Sequence, residues 1–229
     1  MHIGIDASNI REGGGVTNLV EVLRAGEPGR QGISRVTVWS SVNTLKQIED
    51  RPWLYKIHEP MLDRPLPFRL CWQRFALRKL ARRNGCDLLF CPGGSYAGSF
   101  RPFVAMSQNM LPFEWSEAQR FGKCFILLKL ALLRKSQTAT FRAADGMIFL
   151  SNYAANTIAA KVMLNKPSTI IPHGINEAFF AAPRRQRKIL SCSHSEPFRV
   201  LYVSTIDVYK HQWHVAEAAA LLRNQGFSL

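Results

Sequence analysis

The sequence is poor in acidic residues. Asp and Glu number 16 against 30 Lys and Arg, which gives the 229-residue chain a formal net charge of +14. An excess of this size favours an anionic partner, such as a membrane surface, a phosphorylated substrate or nucleic acid. Aromatic residues make up 10% of the chain and are not interleaved with the basic runs. The pattern therefore indicates no RNA-binding motif.

Paired cysteines and metal-ligand motifs are also missing. The cysteine count is odd, no CxxC pair occurs, and the six histidines form no HExxH spacing. Neither a disulfide framework nor a zinc site is indicated, and we predict no metal and no cofactor. Reduced, mostly buried thiols in a cytosolic protein are expected. The five cysteines are Cys71, Cys86, Cys91, Cys124 and Cys192.

Long apolar runs are absent as well. The most apolar stretch, "FILLKLALL" at 125–133, is too short to cross a bilayer and contains Lys129. The start "MHIGIDASN" lacks the basic residues and the apolar core of a signal peptide. We therefore expect a cytoplasmic location.

The chain does contain a regular alternation of short apolar segments and longer amphipathic ones. This alternation predicts an α/β fold with a Rossmann-like parallel sheet and helices on both faces. Ligands of such sheets bind beyond the carboxyl ends of the strands. Strands are predicted at 2–6, 35–40, 54–60, 87–94, 102–108, 146–151 and 168–175, and helices at 16–26, 68–85, 117–143 and 152–163.

The alternation of apolar and amphipathic segments is interrupted near the end of the chain. Residues 181–197 combine Pro, Ser and a basic cluster without apolar periodicity, which is typical of a linker. Residues 198–229 then predict a strand at 200–203 followed by a helix. We predict a first domain over 1–180 and the beginning of a second, incomplete Rossmann-like domain over 198–229.

Two predicted helical segments are strongly basic. Residues 64–83 hold seven Lys or Arg and no acid, and residues 118–144 hold six more, again without an acid. Either a solvated basic face covers a buried apolar stripe, or the helices dock on an anionic membrane. The apolar stripes are Phe68, Trp72 and Phe75 in the first segment and Ile126, Leu127, Leu130 and Leu133 in the second.

Six segments, taken in chain order, resemble the family-4 glycosyltransferases. They are "GIDASNIREGGGVTNLVEVL", "DLLFCPGG", "SQNMLPFE", "MIFLSNYAANTI", "IIPHGI" and "FRVLYVSTIDVYKHQWHVAEAAALLRNQG". Members of that family are retaining enzymes of the GT-B fold, with an acceptor-side domain and a donor domain. The resemblance implies sugar transfer from a nucleotide sugar to a lipid-linked or glycan acceptor during cell-envelope polysaccharide or lipopolysaccharide synthesis. The nucleotide sugar is a substrate, and the enzyme is expected at the inner face of the membrane.

The resemblance also implies roles for particular residues. The glycine loop, formed by Gly13 to Gly15, would face the donor diphosphate and the acceptor. Gln108 and Asn109 stand where many members carry a His-Asp pair near the acceptor. Glu114 is a candidate base on its residue type alone. The implied donor-side or phosphate-binding residues are Gly13, Gly14, Gly15, Ser151, His173, Gly174, Thr205 and Lys210.

The sequence departs from the family pattern in three places. Ser204 and Thr205 stand where Gly-Arg is usual, and Gln108 replaces a histidine and cannot titrate. The acidic motif that holds the donor in the family does not occur in this sequence. We therefore expect the chain to be the N-terminal part of a longer enzyme and inactive by itself, with a separate chain as one candidate source of the remaining donor domain.

A second class of function stays open. A sugar-transferase fold can serve as a scaffold without catalysis, because a fold does not determine a function. The alternative is a non-catalytic basic module that binds anionic membrane or nucleic acid.

Overall fold

The computed structural model describes residues 1–122, 125–163, 165–185 and 187–229. These residues form two compact units, one of residues 1–114 with 128–175 and the other of residues 115–127 with 176–229. Cys124, for which a reduced thiol is predicted, and position 186 of the predicted linker lie outside the described residues.

The first unit is built on a seven-stranded sheet in which every neighbouring pair is parallel. The strand order is β3-β2-β1-β4-β5-β6-β7. This arrangement confirms the predicted Rossmann-like α/β class. The strands are β1 His2–Asp6, β2 Arg35–Ser40, β3 Leu54–His58, β4 Leu88–Cys91, β5 Phe103–Ser107, β6 Gly146–Phe149 and β7 Ser168–Ile170.

Helices cover the two faces of the sheet unequally. The chain moves from β1 to β3 in one direction along the sheet and from β4 to β7 in the other. Because crossovers between parallel strands are right-handed, the two directions place their helices on opposite faces. In chain order the helices of the two units are α1 Gly14–Ala25, α2 Val42–Leu45, α3 Leu66–Trp72, α4 Arg78–Arg83, α5 Trp115–Gln119, α6 Phe125–Ala143, α7 Asn152–Val162 and α8 Gln212–Asn224. Of these, α5 and α8 belong to the second unit and do not count among the helices on the sheet.

Two apolar cores follow from this arrangement. One lies under α1 and α2 and includes Leu19, Val38 and Leu45. The other lies under α3, α4, α6 and α7 and includes Trp72 and Phe141. The strands contribute to both cores, because successive side chains of a strand point to opposite faces of the sheet.

Helices α3 and α4 are joined by a five-residue π-helical turn, Gln73–Leu77. The buried side chains Trp72, Leu77 and Ala81 are therefore spaced by five and then four residues. Of the two alternatives for this segment, the one in which Phe68, Trp72 and Phe75 form a buried stripe is wrong. Trp72 is buried, whereas Phe68 is 52% and Phe75 is 77% exposed.

The single helix predicted over 117–143 is also wrong. The chain forms α5 and α6 instead, and Gly122, between them, has a φ of 73°. This left-handed conformation ends a helix. Of the predicted stripe on α6, Leu130 is buried, whereas Ile126 is 45% exposed. No described helix is long and apolar enough to cross a membrane.

The second unit contains α5 and α8 with short 3-10 turns at Glu177–Phe179, Ile189–Ser191 and Val208–Lys210. The strand predicted at 200–203 does not form. Its side chains stay exposed, Leu201 at 85% and Val203 at 83%. A parallel strand needs a neighbour to accept its backbone hydrogen bonds, and the described part of this unit contains none.

The free thiols agree with the prediction only in part. Cys86 and Cys91 are buried, Cys192 is half-buried and Cys71 is exposed. Burial raises the pKa of Cys86 to about 11 and holds the pKa of Cys91 well above its usual value. Both buried cysteines are therefore uncharged thiols near neutral pH.

The central strand provides a test of the packing. A Cβ atom on Gly4 would lie 2.9 Å from Cζ3 of the fully buried Trp39 and 3.1 Å from Sγ of Cys86. We expect Gly4→Val to lower the free energy of unfolding by about 2 kcal/mol, because a filled core resists added volume. Urea denaturation measures the change. Gly29→Ala is the control, since nothing lies within 4 Å of its Cβ position, and equal stability of the two variants would contradict the packing described.

Candidate functional site

The strand order reverses between β1 and β4, which pair with each other in the middle of the sheet. At such a reversal the loops that follow the two strands diverge and leave a crevice at their carboxyl ends. The two loops nevertheless approach each other at one point, Gly93, where a Cβ atom would lie 3.3 Å from Cβ of Asn9. Glycine at this position lets the two backbones meet.

The glycine loop belongs to the segment that follows β1, at this reversal of the strand order. Gly13 has φ 68° and ψ −155°, a conformation that is essentially restricted to glycine. Helix α1 begins at the next residue without a side-chain cap. The amides of Gly14 and Gly15 have no acceptor among the described residues. Open amides at the start of a helix favour an anionic or carbonyl-bearing ligand.

Gln108 lies against the same loop. It follows β5, is half-buried, and its Oε1 would be 3.4 Å from a Cβ atom on Gly15. The structure therefore brings together the predicted glycine loop and one of the two predicted acceptor-side residues. Asn109 behaves differently, since its Oδ1 accepts a hydrogen bond from the amide of Leu111 at 3.0 Å and so stabilises its own turn.

Glu114 is connected to helix α7. Its Oε1 accepts a 2.6 Å hydrogen bond from the hydroxyl of Tyr153, and this bond is the main reason that the pKa of Tyr153 is raised. Ser151 is the N-cap of α7, and its hydroxyl accepts a hydrogen bond from the amide of Ala154 at 3.2 Å. Glu114 thus carries a carboxylate next to the start of α7.

His173 and Gly174 follow β7 and lie beside α1. The Nδ1 atom of His173 is 2.8 Å from Nδ2 of Asn18, whose amide donates when that ring nitrogen is unprotonated. His173 and Gly174 border a cavity of about 520 Å³ on the α1 face of the sheet, and this cavity is lined mainly by apolar side chains such as Phe90 and Ile148. His173 is therefore oriented by α1 at the polar end of an apolar cavity.

The remaining predicted donor residues belong to the second unit. The carbonyl of Thr205 accepts a 2.6 Å hydrogen bond from Gln212, and the ammonium of Lys210 lies 4.7 Å from the centre of the Tyr209 ring. Thr205 is therefore bonded to the first residue of α8, and Lys210 lies in the 3-10 turn that precedes this helix.

A buried polar network beneath the crevice is not apparent from the sequence. The carboxylate of Asp6, only 3% exposed, accepts hydrogen bonds from the amide of Ser8 at 3.1 Å and from Nε2 of Gln73 at 2.6 Å. Gln73 also donates to the Ser8 hydroxyl and accepts from the amide of Ala97. One glutamine therefore links the loop after β1, the π-helical turn and the loop after β4.

Two arginines bring positive charge to the same loops. Arg69 donates from Nη1 to the carbonyl of Ser8 and to Oδ1 of Asn9, both at 3.0 Å. Arg11 donates to the carbonyls of Asp63 and Arg64. Burial, and secondly the charge of Arg11, lower the pKa of Arg69. The sequence does not distinguish Arg11 and Arg69 from the other basic residues of the chain, because their positions beside these loops depend on the fold.

The conformation of the glycine loop can be tested through stability. We expect Gly13→Ala to cost about 2 kcal/mol of unfolding free energy, because alanine rarely adopts the backbone angles found there. Gly14→Ala is the matched control: it lies in the first turn of α1 with nothing within 4 Å of its Cβ position. That change leaves stability unchanged or slightly raised. Denaturant titrations that rank the two variants in the reverse order would exclude the loop conformation described.

The buried network makes a prediction about pH. Burial raises the pKa of Asp6, and the hydrogen bonds from Ser8 and Gln73 oppose the rise. The folded protein therefore holds this proton more tightly than the unfolded chain, so stability falls as pH rises from the unfolded value through the folded pKa. Gln73→Leu removes one of the hydrogen bonds that oppose the rise, so the pKa of Asp6 rises further and the loss of stability extends to higher pH.

At neutral pH we expect Gln73→Leu to lower the free energy of unfolding by about 2 kcal/mol, because a buried carboxylate loses a donor. Urea titrations from acidic to neutral pH measure both effects. Gln47→Leu, at an exposed glutamine whose side chain donates to the carbonyl of Asn43, is the control. Parallel stability–pH curves for the two variants would contradict the coupling between Gln73 and Asp6.

Among the described residues, no group of three or more His, Cys, Asp or Glu side chains is arranged to hold a metal ion. No protein-family model matches this chain, and a search of curated proteins gives no significant match.

Proposed function

We propose that the first unit is the acceptor-binding side of a glycosyltransferase similar to family 4. The reaction would transfer a sugar from a nucleotide sugar to a lipid-linked or glycan acceptor in cell-envelope polysaccharide or lipopolysaccharide synthesis. The observation that carries the proposal is the juxtaposition of the glycine loop and Gln108 at the strand-order reversal. A site of this kind suits a ligand that is rich in hydroxyl groups and carries phosphate.

The crevice offers complementary chemistry for such an acceptor. The carboxamide of Gln108 can accept a hydrogen bond from one sugar hydroxyl and donate to another oxygen. The open amides of Gly14 and Gly15 and the guanidinium of Arg69 suit a phosphate on a lipid-linked acceptor. These groups bind and orient; none of them removes a proton.

The transfer itself needs a base for the acceptor hydroxyl. That oxygen forms a bond to the anomeric carbon, the bond from the anomeric carbon to the nucleoside diphosphate breaks, and the hydroxyl proton passes to a base or to the departing phosphate. Glu114 is the proposed base, since Tyr153 fixes the orientation of its carboxylate. Retention of configuration is implied only by the family resemblance.

Further residues are proposed for the nucleotide-sugar donor. In the first unit, His173 with Gly174 and the α7 N-terminus capped by Ser151 are proposed to face the donor phosphates. In the second unit, Lys210 is proposed to neutralise the departing diphosphate, where charge develops in the transition state. Thr205 stands where the family usually carries an arginine.

Acceptor binding tests the proposal. Gly15→Leu places a large side chain between the glycine loop and Gln108, so we expect it to weaken acceptor binding by at least about tenfold, equivalent to about 1.4 kcal/mol. The measurement is saturation-transfer-difference NMR with a panel of glycans and short-chain lipid-linked sugar diphosphates. The matched control is Gly29→Leu, at an exposed glycine with nothing within 4 Å of its Cβ position.

Two outcomes would oppose the proposal. Binding that is weakened equally by Gly15→Leu and Gly29→Leu would place the ligand outside the crevice. A panel in which no glycan or lipid-linked sugar binds the parent protein would remove the acceptor role altogether. Circular dichroism of both variants separates loss of binding from loss of folding.

A further inference from the structure

A basic groove lies on the outer side of the helix formed by α3, the π-helical turn and α4. It has a volume of about 410 Å³. Its five cationic side chains are all exposed and come from ten consecutive residues. The groove is lined by Arg74, Arg78, Lys79, Arg82 and Arg83, together with Phe75 and with Ser99 from the loop after β4.

The five cations of the basic groove have no counter-charge in the described chain. None of them takes part in an ion pair or a side-chain hydrogen bond there, whereas other surface arginines do, such as Arg51 with Glu49 and Arg101 with Asp145. Like charges at this density repel one another, and a helix face gains nothing from them by itself. An anionic surface outside the protein would convert this repulsion into attraction.

An apolar side chain stands among these cations. Phe75 is 77% exposed, and Phe68 and Leu66 on the preceding turns are 52% and 48% exposed. The core contacts of this helix are made by Trp72, Leu77 and Ala81 on its other side. Phe75 therefore contributes little to folding, and water around its ring is unfavourable.

We propose that the basic groove docks the protein on an anionic lipid bilayer, with Phe75 inserted at the boundary between headgroups and acyl chains. The combination of unpaired cations and an exposed aromatic ring is the pattern of a surface that lies in the membrane interface. Lipid phosphates would contact the guanidinium groups, which can bind phosphate oxygens in pairs. This docking is independent of the proposed sugar transfer and would hold for a non-catalytic protein as well.

Co-sedimentation of the full chain with vesicles tests the proposal. One set of vesicles contains equal parts of phosphatidylglycerol and phosphatidylcholine, and the other contains phosphatidylcholine alone. The variant R78Q/R82Q/R83Q is expected to bind the anionic vesicles about a hundredfold more weakly than the parent, because each basic residue near an anionic surface contributes substantially to binding. Neither protein is expected to sediment with phosphatidylcholine alone.

A charge-matched variant separates the groove from net charge. R184Q/R185Q/K188Q removes three exposed cations from residues 181–197 and is expected to retain most of the binding. Equal losses in the two triple variants would overturn the assignment to the groove. Thermal unfolding of both variants checks that the substitutions leave the fold intact.

Phe75→Ser distinguishes a bilayer from nucleic acid. The variant keeps every cation, and we expect it to bind anionic vesicles about tenfold more weakly and to retain whatever affinity the parent has for duplex DNA. Duplex DNA binding that exceeds vesicle binding and is lost in R78Q/R82Q/R83Q but not in Phe75→Ser would overturn the membrane proposal in favour of nucleic acid.

Discussion

The handedness of the crossovers between parallel strands is the constraint on which the first unit depends. Because β1 to β3 and β4 to β7 run in opposite directions along the sheet, right-handed connections send their helices to opposite faces. The same reversal opens a crevice between the loops after β1 and β4. The glycine loop follows β1, Gln108 follows β5 and contacts that loop, and Arg69 of α3 bonds Ser8 and Asn9, so the fold brings together residues that are far apart in sequence.

The buried carboxylate of Asp6 helps to connect the loops after β1 and β4, although burying a charged group is unfavourable. Asp6 could have been an apolar residue at the end of a central strand, and the sheet would have been easier to stabilise. Instead, Gln73 and the amide of Ser8 satisfy the carboxylate, and Gln73 also accepts from Ala97. The loops after β1 and β4 are thereby fixed to one helix, and such fixed loops can position ligand-binding groups.

The sequence reveals most of the sheet because its strands are short apolar runs bounded by glycine, proline or charged residues, and their periodicity is local. The N-cap of α7 is visible for the same reason, since Ser151 and the helix it caps are adjacent. The link between Asp6 and Gln73 spans 67 residues and appears only after folding. The break between α5 and α6 depends on the backbone angle of Gly122, which residue type permits but does not require.

The π-helical turn at Gln73–Leu77 helps to determine which side chains of this helix are buried and which are exposed. An α-helix advances by about 100° per residue, so the wider turn shifts the angular position of every side chain that follows it. This shift lets Trp72 and Leu77, five residues apart, both face the core, while Phe75 and Arg78 face outward. The helix thus carries Gln73, whose hydrogen bonds link the loops after β1 and β4, on one side. It carries the cations of the basic groove on the other side.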